Sequence, residues 1–160
     1  MQVSMISRKQ INNLISNRLH DIYTQNWLSE VNNNSQCRNY RIFKNNLKFE
    51  SYLIELNSFD RINMCKFRCS NSYIPSVQGR YQNIPFHERT CALCQKDKIG
   101  DEFHYILECN AFSKDRNTRI KPYYRKRPNG LKFEQLFNTN KLQIAQLSKF
   151  CDHIMKFFKP

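Results

Sequence analysis

Apolar residues recur every four positions over the first thirty residues of the chain. This period is typical of one face of an α-helix, and it predicts an amphipathic helix over residues 7–30. The apolar positions are Ile11, Ile15, Leu19, Tyr23 and Trp27, with Leu14 and Ile22 beside them. We interpret this face as core or as a surface that packs against another helix. Residues 31–36, which are polar after Val31, break the period and predict an Asn-rich loop.

More helices are predicted along the rest of the chain, where strand signals are weak. The predicted helices cover 47–56, 61–68 with Asp60 as the N-cap, a short basic stretch from Ser113 that ends before Pro122, 131–137 and 140–158. The apolar set of the last helix is Leu142, Ala145, Cys151, Ile154, Met155 and Phe158. Residues 70–85 hold two prolines and a glycine, which predict turns and extended chain. The pattern is typical of a mainly α protein with little or no sheet, in which residues 1–36 precede a helical domain of residues 37–160.

Composition and charge narrow the classes of function. The chain has 160 residues, 40% of them hydrophobic, which is enough for a packed core. No run of about 18 apolar residues is present, so we expect no membrane span. Three glycines are too few for a glycine-rich phosphate loop. The net charge of +13 favours a polyanionic partner, most often nucleic acid. The alternative is a basic surface that is simply solvated.

Much of the positive charge is concentrated between residues 111 and 132, which carry eight basic residues and one acidic residue. Within this stretch, residues 121–127 interleave tyrosines with cations. Cations neutralise phosphates, and aromatic rings stack on unpaired bases. The candidate nucleic-acid-binding residues are Arg116, Arg119, Lys121, Tyr123, Tyr124, Arg125, Lys126 and Arg127. The alternative is a basic loop whose two tyrosines pack back on the core.

One group of cysteine and histidine residues has the spacing of a metal site. Cys91, Cys94, His104 and Cys109 follow the pattern C-x2-C-x9-H-x4-C. Zn²⁺ prefers four such ligands in a tetrahedron, and a Cys3His set leaves no open position, so we predict a structural zinc knuckle that staples the small helical domain. The acidic start of the segment from Asp101 predicts a short helix that carries His104. The alternative is three buried free cysteines and a core histidine, but the polar loop over residues 95–102 is poorly suited to burying cysteines without a metal.

The other cysteines are predicted to be packing residues. Cys65 and Cys69 share one face of a predicted helix and have no histidine nearby, and Cys37 and Cys151 stand alone. An odd total of seven cysteines, without a secretory signal, argues against a disulfide framework. We therefore expect a reducing, intracellular compartment, either nuclear or cytoplasmic.

Residues 40–158 resemble the zinc-binding region that follows the polymerase in non-LTR retrotransposon reverse transcriptases of the invertebrate type. The segments that carry the resemblance are 65–71, 79–81, 89–94, 99–109, 123–124, 127–129 and 132–137. The resemblance implies that Cys91, Cys94, His104 and Cys109 are the metal ligands and that the region helps to hold RNA or target DNA. The polymerase is missing, because no Tyr/Phe-x-Asp-Asp motif occurs. The chain therefore resembles a C-terminal remnant or a separately encoded piece of such an element.

The sequence predicts a zinc-stapled module that binds RNA or DNA and has no catalytic activity. An enzyme is disfavoured because a nucleophilic cysteine needs an adjacent base, and the one compact Cys/His group is a closed metal site. No small-molecule substrate is expected. The alternative function is a protein-interaction module, in which the helices at 7–30 and 140–158 present an apolar face to a partner such as a separately encoded polymerase.

Overall fold

The computed structural model describes residues 7–94 and 97–160. These residues form helices and no strand, apart from one isolated antiparallel bridge between Thr90 and Ile99, which confirms the mainly α prediction. The α-helices are α1 (Arg8–Asn33), α2 (Tyr40–Phe43), α3 (Tyr52–Glu55), α4 (Ser58–Arg68), α5 (Pro75–Tyr81), α6 (Ser113–Arg119), α7 (Pro122–Arg125), α8 (Gly130–Phe137) and α9 (Lys141–Phe158). Short 3₁₀ turns lie at Ser35–Cys37, Phe86–Glu88 and Asn110–Phe112, and His104–Glu108 is a π-helical turn. None of these helices is long and apolar enough to cross a lipid bilayer.

Helix α1 begins where its sequence pattern predicts. The Ser7 side chain accepts from the backbone N–H of Gln10, and the Gln10 side chain accepts from the N–H of Ser7, which is a capping box. The helix continues through Asn33, so the loop predicted from residue 31 begins later. Its apolar residues from Ile11 to Tyr23 are exposed, from 40% at Ile22 to 65% at Tyr23, whereas Trp27 is half-buried. The interpretation of this face as core is therefore wrong, and its packing against another helix stays a prediction.

Three local predictions differ from the structure for identifiable reasons. Helix α4 begins at Ser58 because the side chain of Asn57, not Asp60, accepts the capping hydrogen bond. Only Tyr52–Glu55 is helical within the predicted helix at 47–56. Helix α5 forms where turns are predicted, since Pro75 stands in its first turn, where its missing N–H costs nothing.

The core lies where α4, α8 and α9 meet, with α2 packed against α8 and α6 against α9. Helix α9 buries an apolar face as predicted, although Leu142 of the predicted set is 82% exposed. The core side chains from these helices include Met64, Phe67, Phe133, Leu136, Leu147, Phe150 and Ile154. Burying one such side chain is worth about 1.5–3 kcal/mol. The segment Tyr105–Leu107 belongs to the same buried cluster and anchors the predicted metal-binding block to the core.

Candidate metal centre

The structure brings the four predicted ligands together. One ligand atom from each of Cys91, Cys94, His104 and Cys109 lies within 4.8 Å of all the others. The Sγ atoms of Cys91 and Cys109 are 3.8 Å apart, and Cys94 Sγ is 3.3 Å from His104 Nε2. Ligands at zinc-like bond lengths around one tetrahedral ion are separated by about 3.8 Å for two sulfurs and about 3.6 Å for sulfur and nitrogen. The four residues could therefore hold one metal ion.

The first two ligands lie on a turn closed by a minimal hairpin. The backbone N–H of Cys91 donates to Lys98 O at 2.8 Å, and the N–H of Gly100 donates to Arg89 O at 2.8 Å. These bonds flank the bridge between residues 90 and 99 and bring the two ends of the turn together. Gln95 and Lys96, in the predicted polar loop, lie outside the described residues. The x2 spacing thus places the two thiols on one tight turn.

The other two ligands lie on a short helical segment that begins at Asp101, as predicted. The Asp101 side chain accepts from the backbone N–H of His104 at 2.9 Å. Five residues of a regular α-helix turn through about 500°, which would leave His104 and Cys109 about 140° apart around the axis. Instead the N–H of Cys109 donates to His104 O at 2.7 Å, so the segment winds as a π-helical turn. The wider turn returns Cys109 to the side of His104.

A carboxylate orients the imidazole of His104. Glu108 Oε2 lies 3.3 Å from His104 Nδ1, on the opposite side of the ring from Cys94. Metal-binding histidines usually donate their second nitrogen to such a group, which sets the tautomer and leaves Nε2 free for the ion. The ring is buried, so water does not compete for this contact.

The thiol groups differ in how readily they ionise. Burial alone would raise the pKa of Cys91, but the neighbouring Tyr105 hydroxyl and the backbone N–H groups of Leu93 and Cys94 lower it overall. Burial, reinforced by the neighbouring Cys91, raises the pKa of Cys109 to about 12. Burial also raises the pKa of Tyr105, so its hydroxyl stays protonated. Of these two thiols, Cys91 is the better prepared to be a thiolate before a metal binds.

Gly100 makes room for the Tyr105 hydroxyl. A Cβ atom at position 100 would lie 2.6 Å from Tyr105 Oη, which is too close, and 3.1 Å from Pro75 Cβ, which is a tight contact. Any larger residue would push the tyrosine away from Cys91. The sequence pattern does not reveal this requirement, because it arises from contacts across the fold.

Arg116 is buried and holds the π-helical turn that carries His104. Its guanidinium donates to the carbonyl oxygens of Ile106 at 2.7 Å and Tyr105 at 3.2 Å, and also to Cys109 O. These carbonyls belong to the end of the π-helical turn, where backbone acceptors lack partners within the helix. We had predicted Arg116 as a nucleic-acid contact from its charge. The structure contradicts this, because the guanidinium lies inside the protein and all its named contacts are to backbone.

The remaining predicted nucleic-acid residues divide into two groups. Lys121, Tyr123, Lys126 and Arg127 are exposed, whereas Arg119, Tyr124 and Arg125 are half-buried. The Tyr124 ring packs against the core and its hydroxyl lies 3.2 Å from Thr139 Oγ1, as in the alternative interpretation of the tyrosines. The Tyr123 ring stays exposed although its hydroxyl donates to Gln135.

Of the other four cysteines, three are at least half-buried, as expected for packing residues, and one is exposed. Cys151 is fully buried, Cys37 and Cys65 are half-buried, and Cys69 is exposed. Within residues 7–94 and 97–160, they join no further group of metal-ligating side chains. Cys69 is therefore not a core residue.

No protein-family model, curated protein or solved structure matches the chain. The resemblance to the retrotransposon zinc-binding region stays a prediction.

Proposed function

We propose that this protein is a non-catalytic, zinc-stapled module that binds nucleic acid, similar to the zinc-binding region of non-LTR retrotransposon reverse transcriptases. The observation that carries the proposal is the convergence of three cysteine sulfurs and one buried imidazole beside a strongly basic segment. The two features have separate roles, because the ligand block supplies rigidity and the basic segment supplies phosphate contacts.

The donor set favours zinc over other metals. Three thiolates and an imidazole suit a borderline-soft ion with tetrahedral geometry, whereas Mg²⁺ and Ca²⁺ prefer oxygen ligands. Four protein ligands would complete the coordination sphere and leave no position for a substrate or a reactive water, so the ion would be structural. Zn²⁺ would hold the turn at Cys91 and Cys94 against the π-helical turn at His104–Glu108.

Contacts between elements connect the metal centre to the basic segment. Helix α7 packs against the π-helical turn and against α8. The exposed residues Lys121, Tyr123, Lys126 and Arg127 lie on α7 or directly beside it. These four residues are the phosphate and base contacts that we propose, with Arg119 and Arg125 as partly buried contributors. Loss of the metal would remove the support beneath them.

A salt titration of nucleic-acid binding tests the proposal. We expect the logarithm of the association constant to fall linearly with log salt, with a slope of about −0.9 per phosphate contacted on duplex DNA and about −0.7 on a single strand. Fluorescence anisotropy of a labelled oligonucleotide measures it. Lys126→Gln and Arg127→Gln should each weaken binding and reduce the slope, whereas Lys9→Gln, at an exposed site on α1, should change it less. A complex insensitive to salt would contradict the proposal.

The exposed face of α1 supports a second candidate function, a protein-interaction module. Ile15 and Leu19 are more than half exposed, and contiguous apolar surface of this kind commonly marks a protein contact. The partner suggested by the resemblance is a separately encoded polymerase. Direct binding to a purified reverse transcriptase polymerase, lost in an Ile15→Ser, Leu19→Ser variant, would support this function.

A further inference from the structure

A second surface with basic and aromatic side chains lies away from residues 121–127. It is a groove of about 610 Å³ between α4, α9 and the stretch from Asn71 to Tyr81. Its walls come from segments far apart in sequence. The groove therefore exists only in the folded chain.

Lysines give the groove a positive rim. Lys156 lies in the last turn of α9, Lys159 follows directly after the helix, and Lys66 of α4 lines the same groove. All three side chains are exposed. Asp152 is the acidic residue of the lining, and its carboxylate pairs with Lys156 Nζ at 2.7 Å. Lys66 and Lys159 remain as cations for a polyanion.

Two exposed tyrosines line the same groove. Tyr73 is 46% exposed and Tyr81 is 68% exposed, and both line the cavity. Exposed rings beside lysines are the usual platform for single-stranded nucleic acid, because every base has a face that can stack. A duplex keeps its bases paired and stacked, and it cannot use such a platform.

Two polar residues that line the groove have buried atoms without hydrogen-bond partners. Asn63 is 7% exposed and Ser72 is 8% exposed, and both line the cavity. Neither Asn63 Nδ2 nor Ser72 Oγ has a hydrogen-bond partner among the described residues. Buried donors without partners are costly and rare in folded proteins. Both atoms are enclosed, so the two residues give the groove a polar wall, and a ligand would reach these atoms only after the side chains turn.

We propose that this groove binds an unpaired nucleotide of single-stranded nucleic acid, with its base against Tyr73 or Tyr81 and adjacent phosphates on the lysines. The proposal rests on the nucleic-acid-binding function proposed above and adds the form of the ligand. It assigns the groove a role that no sequence motif indicates.

One strand of nucleic acid can reach both the groove and residues 121–127. Gln143 Nε2 donates to Arg119 O at 2.8 Å. This bond fixes Arg119, two residues before the segment 121–127, near the N-terminal end of α9. Lys156 is thirteen residues further along the same helix, or about 20 Å at 1.5 Å per residue. A short single strand of several nucleotides spans this distance.

Binding of a labelled 12-nucleotide RNA to the full chain tests the groove, with the same sequence as DNA and as a duplex for comparison. Tyr81→Ala should raise the Kd for either single strand about tenfold, in the range measured for the loss of one stacked base. The Kd for the duplex should change little. Tyr23→Ala is the matched control, since Tyr23 is 65% exposed but lies on α1. Circular dichroism verifies that each variant is folded.

Two further variants separate stacking from charge. Tyr73→Ala should also weaken single-strand binding, and Lys159→Gln should reduce the salt slope by about 0.7, the value for one phosphate contact on a single strand. If the unmodified chain binds but the tyrosine variants match Tyr23→Ala, or if duplex binding falls equally, the groove proposal is overturned alone. If the unmodified chain binds no oligonucleotide, both this proposal and the proposed function are overturned.

Discussion

The candidate metal centre and α1 differ in what surrounds their important side chains. In the centre, Cys91, His104 and Cys109 are buried and lie against one another and the core. In α1, the apolar face has no cover from the described part of the chain, and Leu19 is 61% exposed. The difference teaches that a set of metal-ligating residues specifies which side chains come together. An apolar helical face specifies only that some other surface must cover it.

We expect removal of the proposed metal to have the largest effect on the stability of the protein. Zinc binding contributes about 10–16 kcal/mol in finger peptides, comparable to the whole stability of a domain, about 5–15 kcal/mol. We therefore expect a chelator, or Cys94→Ser, to unfold the region around the centre, seen as a lower melting temperature by circular dichroism. Cys69→Ser is the control, because that thiol is exposed and outside the cluster. A melting temperature that a chelator leaves unchanged would contradict the structural role proposed for the metal. It would also remove the contrast between the metal centre and α1.

Removing the guanidinium that supports the centre should have the next largest effect. Arg116→Ala leaves buried carbonyl oxygens without donors, which costs about 1–3 kcal/mol per unsatisfied group. We expect a loss of about 3 kcal/mol in the free energy of unfolding, measured with urea. Arg119→Ala, at a half-buried site on the same helix, should lose much less. Equal losses would mean that Arg116 does not act through the π-helical turn that carries His104.

A single methyl group at position 100 should disturb the centre more mildly. Gly100→Ala forces a contact with Tyr105 Oη, and overpacking of this kind costs about 1–3 kcal/mol. In a Tyr105→Phe background the clashing oxygen is absent, so the cost of Gly100→Ala should be smaller. A double-mutant cycle by urea unfolding measures this coupling. Additive effects would show that the two residues do not meet.

Substitutions on α1 should have the smallest effect on stability. Ile15→Ser and Leu19→Ser change exposed side chains, so each should alter the free energy of unfolding by no more than about 0.5 kcal/mol. The same urea experiment measures them. A loss of several kcal/mol would mean that the face of α1 is buried in solution, and the contrast with the metal centre would disappear.

Features that depend on near neighbours in the chain were predictable. The Ser7 capping box, the start of the last helix at Asn140 and the C-x2-C turn involve residues no more than a few positions apart. The cap of α4 was misplaced because Asn57 and Asp60 are both good caps, and only the backbone decides between them. Charge alone could not separate Arg116 from Arg119, which lie on one helix but face different surroundings.

The sequence by itself determined the helical character, the basic charge and the four ligands, because period, composition and ligand spacing are properties of short stretches of chain. The tertiary structure decided that α1 shows its apolar face, that Arg116 points inward and that Asn63, Tyr73 and Lys159 line one groove. These outcomes depend on contacts between residues far apart in the chain, and no local pattern records which distant surfaces meet.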